Sequence, residues 1–167
     1  MTSTDTITPH SAGDADAFSA IRRYAAFSDG DHGGNPAGVM IADRLPAVDE
    51  MQSLAARVGY SETVFAAPDH DGTWRVRYFS PEAEIPFCGH ATIALGAALA
   101  ETVGAGTFPL RLNAAEITVE AAVDDTGARA ALRSPPTRSA PAADALVAET
   151  LSLLSLTDSD LDPRLPP

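Results

Sequence analysis

Residues 87–100, Phe-Cys-Gly-His-Ala-Thr-Ile-Ala-Leu-Gly-Ala-Ala-Leu-Ala, decide the fold. From Ala91 to Ala100 small or apolar side chains lie on nearly every side, so the segment is a central helix enclosed by protein, not one resting on a wet surface. A polar turn through Glu82 and Glu84 leads directly into it. The first amides of a helix lack intrahelical acceptors and sit at the positive end of its dipole, so a carboxylate or phosphate held there satisfies both. Gly89 allows close approach. Taken alone, Gly89 and His90 also fit a tight turn and a cap. Cys88 reads as a small buried core residue, because thiol-based racemases need a second thiol facing the first and the chain has one cysteine.

Upstream of the helix the pattern is mixed. Ile21 to Phe27 predicts a first strand, Gly30 to Gly38 a glycine-rich turn, and Val39 to Ala42 a second short strand. Within the turn, Gly33-Gly34-Asn35-Pro36-Ala37-Gly38 joins permissive glycines to an asparagine that both donates and accepts, and no lysine follows to make it a phosphate loop. Asp49 and Gln52 resemble a capping pair for an amphipathic helix over 50–58, closed by Gly59. Thr63 to Ala67 and the alternation of Trp74, Val76 and Tyr78 with Arg75 and Arg77 predict two paired strands. Glu62 stands just before the apolar pair Val64 and Phe65, a position that favours partial burial. A partly buried carboxyl group can take a proton from carbon and return it elsewhere, which is what isomerisation without a cofactor requires. A surface glutamate at a strand edge is the plainer alternative.

Downstream, strands are predicted over Thr107 to Leu112, Ile117 to Val123 and Ala128 to Arg133, with Pro109 pushing the first toward a sheet edge. Ile117, Val119, Ala121 and Val123 share one face. Ser134 to Pro141 reads as a linker, and Ala142 to Leu154 recovers helical spacing. Residues 1–17 have the composition of a flexible tail.

Composition excludes several functions. With 23 acidic and 11 basic residues the net charge is −12, which repels phosphate backbones and anionic membranes, so no nucleic-acid or membrane partner is expected. Every basic residue is arginine, which removes the amine a pyridoxal phosphate enzyme needs for its Schiff base. His10, His32 and His70 lie in the tail or in turns without ligand spacing, so no metal and no cofactor are expected. No Gly-x-Ser-x-Gly elbow offers a hydrolase nucleophile. A lone cysteine and the lack of a leader-like or spanning apolar run lead to the expectation of a cytoplasmic protein.

Five segments together, Gly34-Asn35-Pro36-Ala37-Gly38-Val39, Met51-Gln52, Ser61-Glu62-Thr63-Val64-Phe65, Tyr78-Phe79-Ser80-Pro81-Glu82-Ala83-Glu84 and Phe87-Cys88-Gly89-His90-Ala91-Thr92, resemble in order and spacing the PhzF phenazine-biosynthesis-like family. The resemblance implies an α+β chain, one lobe of a diaminopimelate epimerase-like fold, with a curved, mostly antiparallel sheet wrapped around a central helix. It implies Glu62 as general acid/base, Gly89 and His90 as the groups that hold or orient the substrate, and Asn35 as a further contact. It also implies a small carboxylate substrate and no cofactor. Family members carry a second lobe with an Asp-Pro-Ala-Thr-Gly-type motif that this sequence lacks. The domain reading is therefore a tail over 1–17, a PhzF-like N-terminal lobe over 18–141, and a helix and crossover over 142–167 toward a missing second lobe.

Three expectations follow: an isomerase half completed by a complementary C-terminal lobe on another chain, a self-dimer that imitates the two-lobed parent, or a catalytically inactive half-domain or assembly module.

Overall fold

The computed structural model of the chain describes residues 17–30 and 32–165. The expected tail, residues 1–17, lies outside them but for Ala17. Two compact units are resolved, one ending at Pro135 and one beginning at Pro136.

The first unit is mixed α+β. Strands β1 (Arg22–Asp29), β2 (His32–Ile41), β3 (Glu62–Pro68), β4 (Trp74–Phe79), β5 (Glu84–Ile85), β6 (Gly106–Arg111), β7 (Glu116–Asp124) and β8 (Gly127–Arg133) form one sheet, with helices α1 (Val48–Val58) and α2 (Gly89–Val103). The sheet order is β1-β2-β3-β4-β6-β7-β8, with β5 added beside β4. Among the described residues, only β2 with β3 and β4 with β6 pair in parallel. Helix α2 packs against β1, β2 and β3 at one end of this order and against β7 and β8 at the other. The sheet therefore curls around it.

Strand alternation divides the apolar residues between two cores. Ala37, Val39, Val64, Ala66, Val76 and Tyr78 point to the α2 side, where Leu95 and Leu99 are fully buried. Met40, Phe65 and Phe79 point to the other side and meet Met51, Leu54 and Ala55 of α1. There Phe65 and Phe79 pack edge to face with centroids 5.6 Å apart.

Close packing around α2 depends on one small residue. A Cβ added at Gly96 would lie 2.6 Å from Val119 Cγ2 and 3.0 Å from Ala130 Cβ. Val119 is itself fully buried, with no room to turn aside. Gly96→Ala is expected to lose about 1–3 kcal/mol from overpacking, against a gain of up to about 1 kcal/mol in helix propensity. A urea midpoint below that of the parent checks the sign.

Three local expectations need correction. The segment 30–38 is not a turn, because β2 begins at His32 and pairs with β1 down to Asp29. Its glycines serve the strand: Gly34 has φ +80, and a Cβ there would meet Ala26 O at 2.8 Å. The Asp49 and Gln52 pair is not a cap, since the N-cap is Ala47, without a side-chain bond. Gln52 Nε2 instead donates to the carbonyls of Ser80 and Pro81 at 2.9 and 3.0 Å, tying α1 to the turn after β4. Strand β6 is not at the sheet edge, although its β4 partners are only Leu110 and Arg111, so Pro109 lies where just one neighbour pairs. Val123 continues the face of Ile117, Val119 and Ala121 as expected, but is 48% exposed at the far end of β7.

The second unit holds helix α3 (Asp144–Leu153) and a 3-10 turn at Asp158–Asp160, closed by a capping box between Thr157 and Asp160.

Candidate active site

Glu62 opens β3 opposite Ala37 of β2. Because Val64 and Ala66 alternate with it onto the α2 side, its carboxylate faces the central helix. His90 stands in the first turn of α2, and its Nε2 lies 3.3 Å from Glu62 Oε2. The side chains are 11% exposed for His90 and 20% for Glu62. The pair is within ion-pair distance but makes no hydrogen bond, and both atoms are shielded from solvent.

Cys88 is the N-cap residue of α2, with extended backbone angles and no side-chain cap bond. Its Sγ lies 3.2 Å from His90 Nδ1. Burial pushes the thiol up, and the Glu62 carboxylate beside it adds to that push, while the amides of Ala91 and His90 draw it down. Cys88 is thus the buried core residue expected, and it also touches the site. The first turn of α2 contains no acidic residue, so its positive end is not neutralised by the helix itself.

The helix start is held from below. Thr92 Oγ1 donates to Cys88 O at 2.7 Å, and the Tyr78 hydroxyl lies 2.7 Å from Thr92 Oγ1. With its own proton committed to Cys88 O, Thr92 accepts from Tyr78. Burial raises the Tyr78 phenol well above its ordinary value, so it remains a donor. In the sequence, Tyr78 stands out only through its alternation with Trp74 and Val76 in a strand. The hydroxyl chain does not show there, and the four-residue spacing of Cys88 and Thr92 is its only local sign.

The turn before α2 is pinned by Glu84, which accepts from Arg77 Nε and Nη2 at 2.7 and 2.5 Å and from Asn113 Nδ2 at 2.6 Å. Arg77 holds the Glu84 carboxyl below its usual range, with burial opposing. A depressed folded-state pKa contributes stability that is present above the unfolded value and lost as pH falls through the folded one. Glu84→Gln is therefore expected to cost about 1–3 kcal/mol at neutral pH. Urea melts from pH 7 to pH 3 should show that difference shrinking as the parent's Glu84 protonates.

Asn35 lies on β2 two residues before Ala37, so alternation puts it on the face that bears Glu62. It is exposed. Gly89 is the first residue of α2, and the nearest atom to a Cβ there would be Leu132 Cδ2 at 3.9 Å, so its surface stays open. The fold thus gathers Glu62, Gly89 and His90 at one end of α2, with Cys88 among them, while Asn35 shares only the sheet face. A surface concavity of 790 Å³ lies elsewhere, along Gly106, Glu120 and Arg129. It contains none of these residues.

Comparison with known proteins agrees with this architecture. The family model described as phenazine biosynthesis-like protein, PhzC-PhzF, matches residues 24–167. The uncharacterized isomerase YddE of Escherichia coli is 35% identical over 147 residues, which cover 84% of this chain and 48% of that protein. An uncharacterized isomerase of Deinococcus radiodurans is 45% identical over 107 residues, 55% of this chain and 34% of its own length. A PhzF-family protein of Bacillus anthracis superposes with a TM-score of 0.56 at 32% identity, covering 64% of this chain and 37% of that one. A predicted epimerase of Pseudomonas aeruginosa reaches a TM-score of 0.77 at 22% identity over 88% of this chain and 54% of its own, a likeness of fold. The chain spans at most about half the length of the curated relatives it matches. With the matched family model running from β1 to the C-terminal residue, the chain belongs to the phenazine biosynthesis-like PhzC-PhzF family.

Proposed function

We propose that this chain is the glutamate-bearing lobe of a PhzF-like isomerase that moves a proton on a small carboxylate without a cofactor. The observation that carries the reading is the 3.3 Å approach of Glu62 to His90 at the unneutralised start of a buried helix. The substrate's carboxylate binds the amides around Gly89, and Asn35 offers a further contact from the sheet. Glu62 takes a proton from a carbon of the substrate, the electron pair delocalises toward its carboxylate, and helix amides stabilise that charge. The same carboxyl group returns the proton at a different carbon, so nothing is gained or lost overall. His90 orients Glu62 and the substrate.

Both side chains retain some exposure, so this lobe lines one wall of the site. A second lobe closes the opposite wall and excludes water, whether it belongs to the same polypeptide, to another, or to a second copy. The relatives' greater length supports this division.

Deuterium wash-in tests the reading. The chain is mixed with a separately expressed second lobe of a family member and incubated in heavy water with a panel of small unsaturated and amino carboxylates. Mass spectrometry then reads the label on carbon. Incorporation that needs both lobes and Glu62 is expected; incorporation that persists in Glu62→Gln sinks the assignment. No incorporation by any assembled form, the self-dimer included, favours the inactive half-domain.

A further inference from the structure

Glu62, Cys88 and His90 bring a carboxylate oxygen, a sulfur and an imidazole nitrogen to within 4.8 Å of one another. These are the donor types that zinc takes in proteins, at bonds of about 2.0–2.3 Å, which space tetrahedral donors about 3.3–3.8 Å apart, so the three side chains draw in by about 1 Å to share one ion. A second observation points the same way. Glu62 Oε2 and His90 Nε2 are both shielded from solvent and without a hydrogen bond, although they face each other. One cation on the Nε2 side of the ring satisfies both, and Cys88 Sγ, which lies against Nδ1 at 3.2 Å, joins it when the thiol turns from that nitrogen.

We propose that Glu62, Cys88 and His90 bind one thiophilic divalent cation of the zinc type, and that the bound ion blocks the site. No ligand spacing in the sequence signals this donor set, which joins the start of β3 to the start of α2 and exists only in the fold. The backbone of both pieces is held before any ion arrives, at Cys88 by the Tyr78 and Thr92 hydroxyl chain beneath the helix start, and at Glu62 by its pairing in the sheet. Three protein donors leave a fourth position for water or a substrate carboxylate, the open form of a zinc site. Binding displaces the thiol proton to solvent and occupies the carboxylate that would otherwise move the substrate's proton. The binding stands on geometry alone; its inhibitory consequence rests on the acid/base reading of Glu62.

Cobalt(II) titrated into the untagged full chain tests this, because a sulfur-to-cobalt charge-transfer band can come only from Cys88, the one cysteine present. One ion per chain is expected, with a band that zinc bleaches, that disappears in Cys88→Ser, and whose titration midpoint rises at least tenfold in both Glu62→Gln and His90→Asn. The wild-type titration needs no variant to fold, and circular dichroism checks the variants. The proposal is overturned by the lack of a charge-transfer band, by one ion per two chains, or by a midpoint that neither substitution moves. The two readings fail separately. A cobalt site in a protein that never washes in deuterium removes the isomerase and keeps the metal site, and zinc-insensitive wash-in without a cobalt band does the reverse.

Discussion

Glu62→Gln is expected to lower deuterium wash-in by the two-lobed protein about 10²–10⁴-fold, the usual worth of a general acid/base, and to leave the lobe folded. Glutamine keeps the length and planar end of the side chain, so the packing of β3 against α2 is not disturbed. What goes is the carboxylate oxygen that faces His90, the group to which the proposed function gives the proton transfer. The same substitution has a readout independent of turnover. Glu62 is one of the two upward influences on the Cys88 thiol, burial being the larger. With the carboxylate gone, Cys88 should titrate lower, and iodoacetamide should alkylate it faster at a given pH. An unchanged thiol titration would place Glu62 away from Cys88 in solution, and unchanged wash-in would remove it from the chemistry.

Leu95→Ala is expected to destabilise the first unit by about 2–5 kcal/mol, the range for truncating a buried leucine to alanine. Leu95 is fully buried among residues of both sheet flanks. The surrounding strands are hydrogen-bonded into one sheet and can collapse only partly onto the space left behind, which keeps the loss large. Since α2 also presents His90 to Glu62, loss of packing along it should loosen the site before the lobe unfolds, seen as faster Cys88 alkylation below the urea transition. Val103→Ala, at the 56% exposed end of the same helix, should change stability by less than about 0.5 kcal/mol. Equal losses at the two positions would contradict an enclosed helix.

Legibility in the sequence followed the range of each signal. The central helix, the amphipathic helix closed by Gly59 and the alternating strand at Trp74, Val76 and Tyr78 are local patterns, and each stands where its period puts it. The segment at Gly33 and Gly34 misled because glycine there signals left-handed backbone, and a strand with a close neighbour uses that as readily as a turn does. Gln52 looked like a cap because its partner carbonyls, Ser80 and Pro81, are remote in the chain. Glu62 was visible as a candidate, but a carboxylate beside two apolar residues fits a surface edge equally well.

By itself, the sequence determined that a helix too apolar for solvent must be enclosed, that alternating strands supply the enclosure, and that no lysine is present for a Schiff base. These follow from periodicity and composition, which act along the chain. Only the tertiary structure decided that the carboxylate at the start of β3, the ring at the start of α2 and the lone thiol share one place. Proximity between distant segments is set by the curl of the sheet and the parallel pairing of β2 with β3, and no local pattern encodes either.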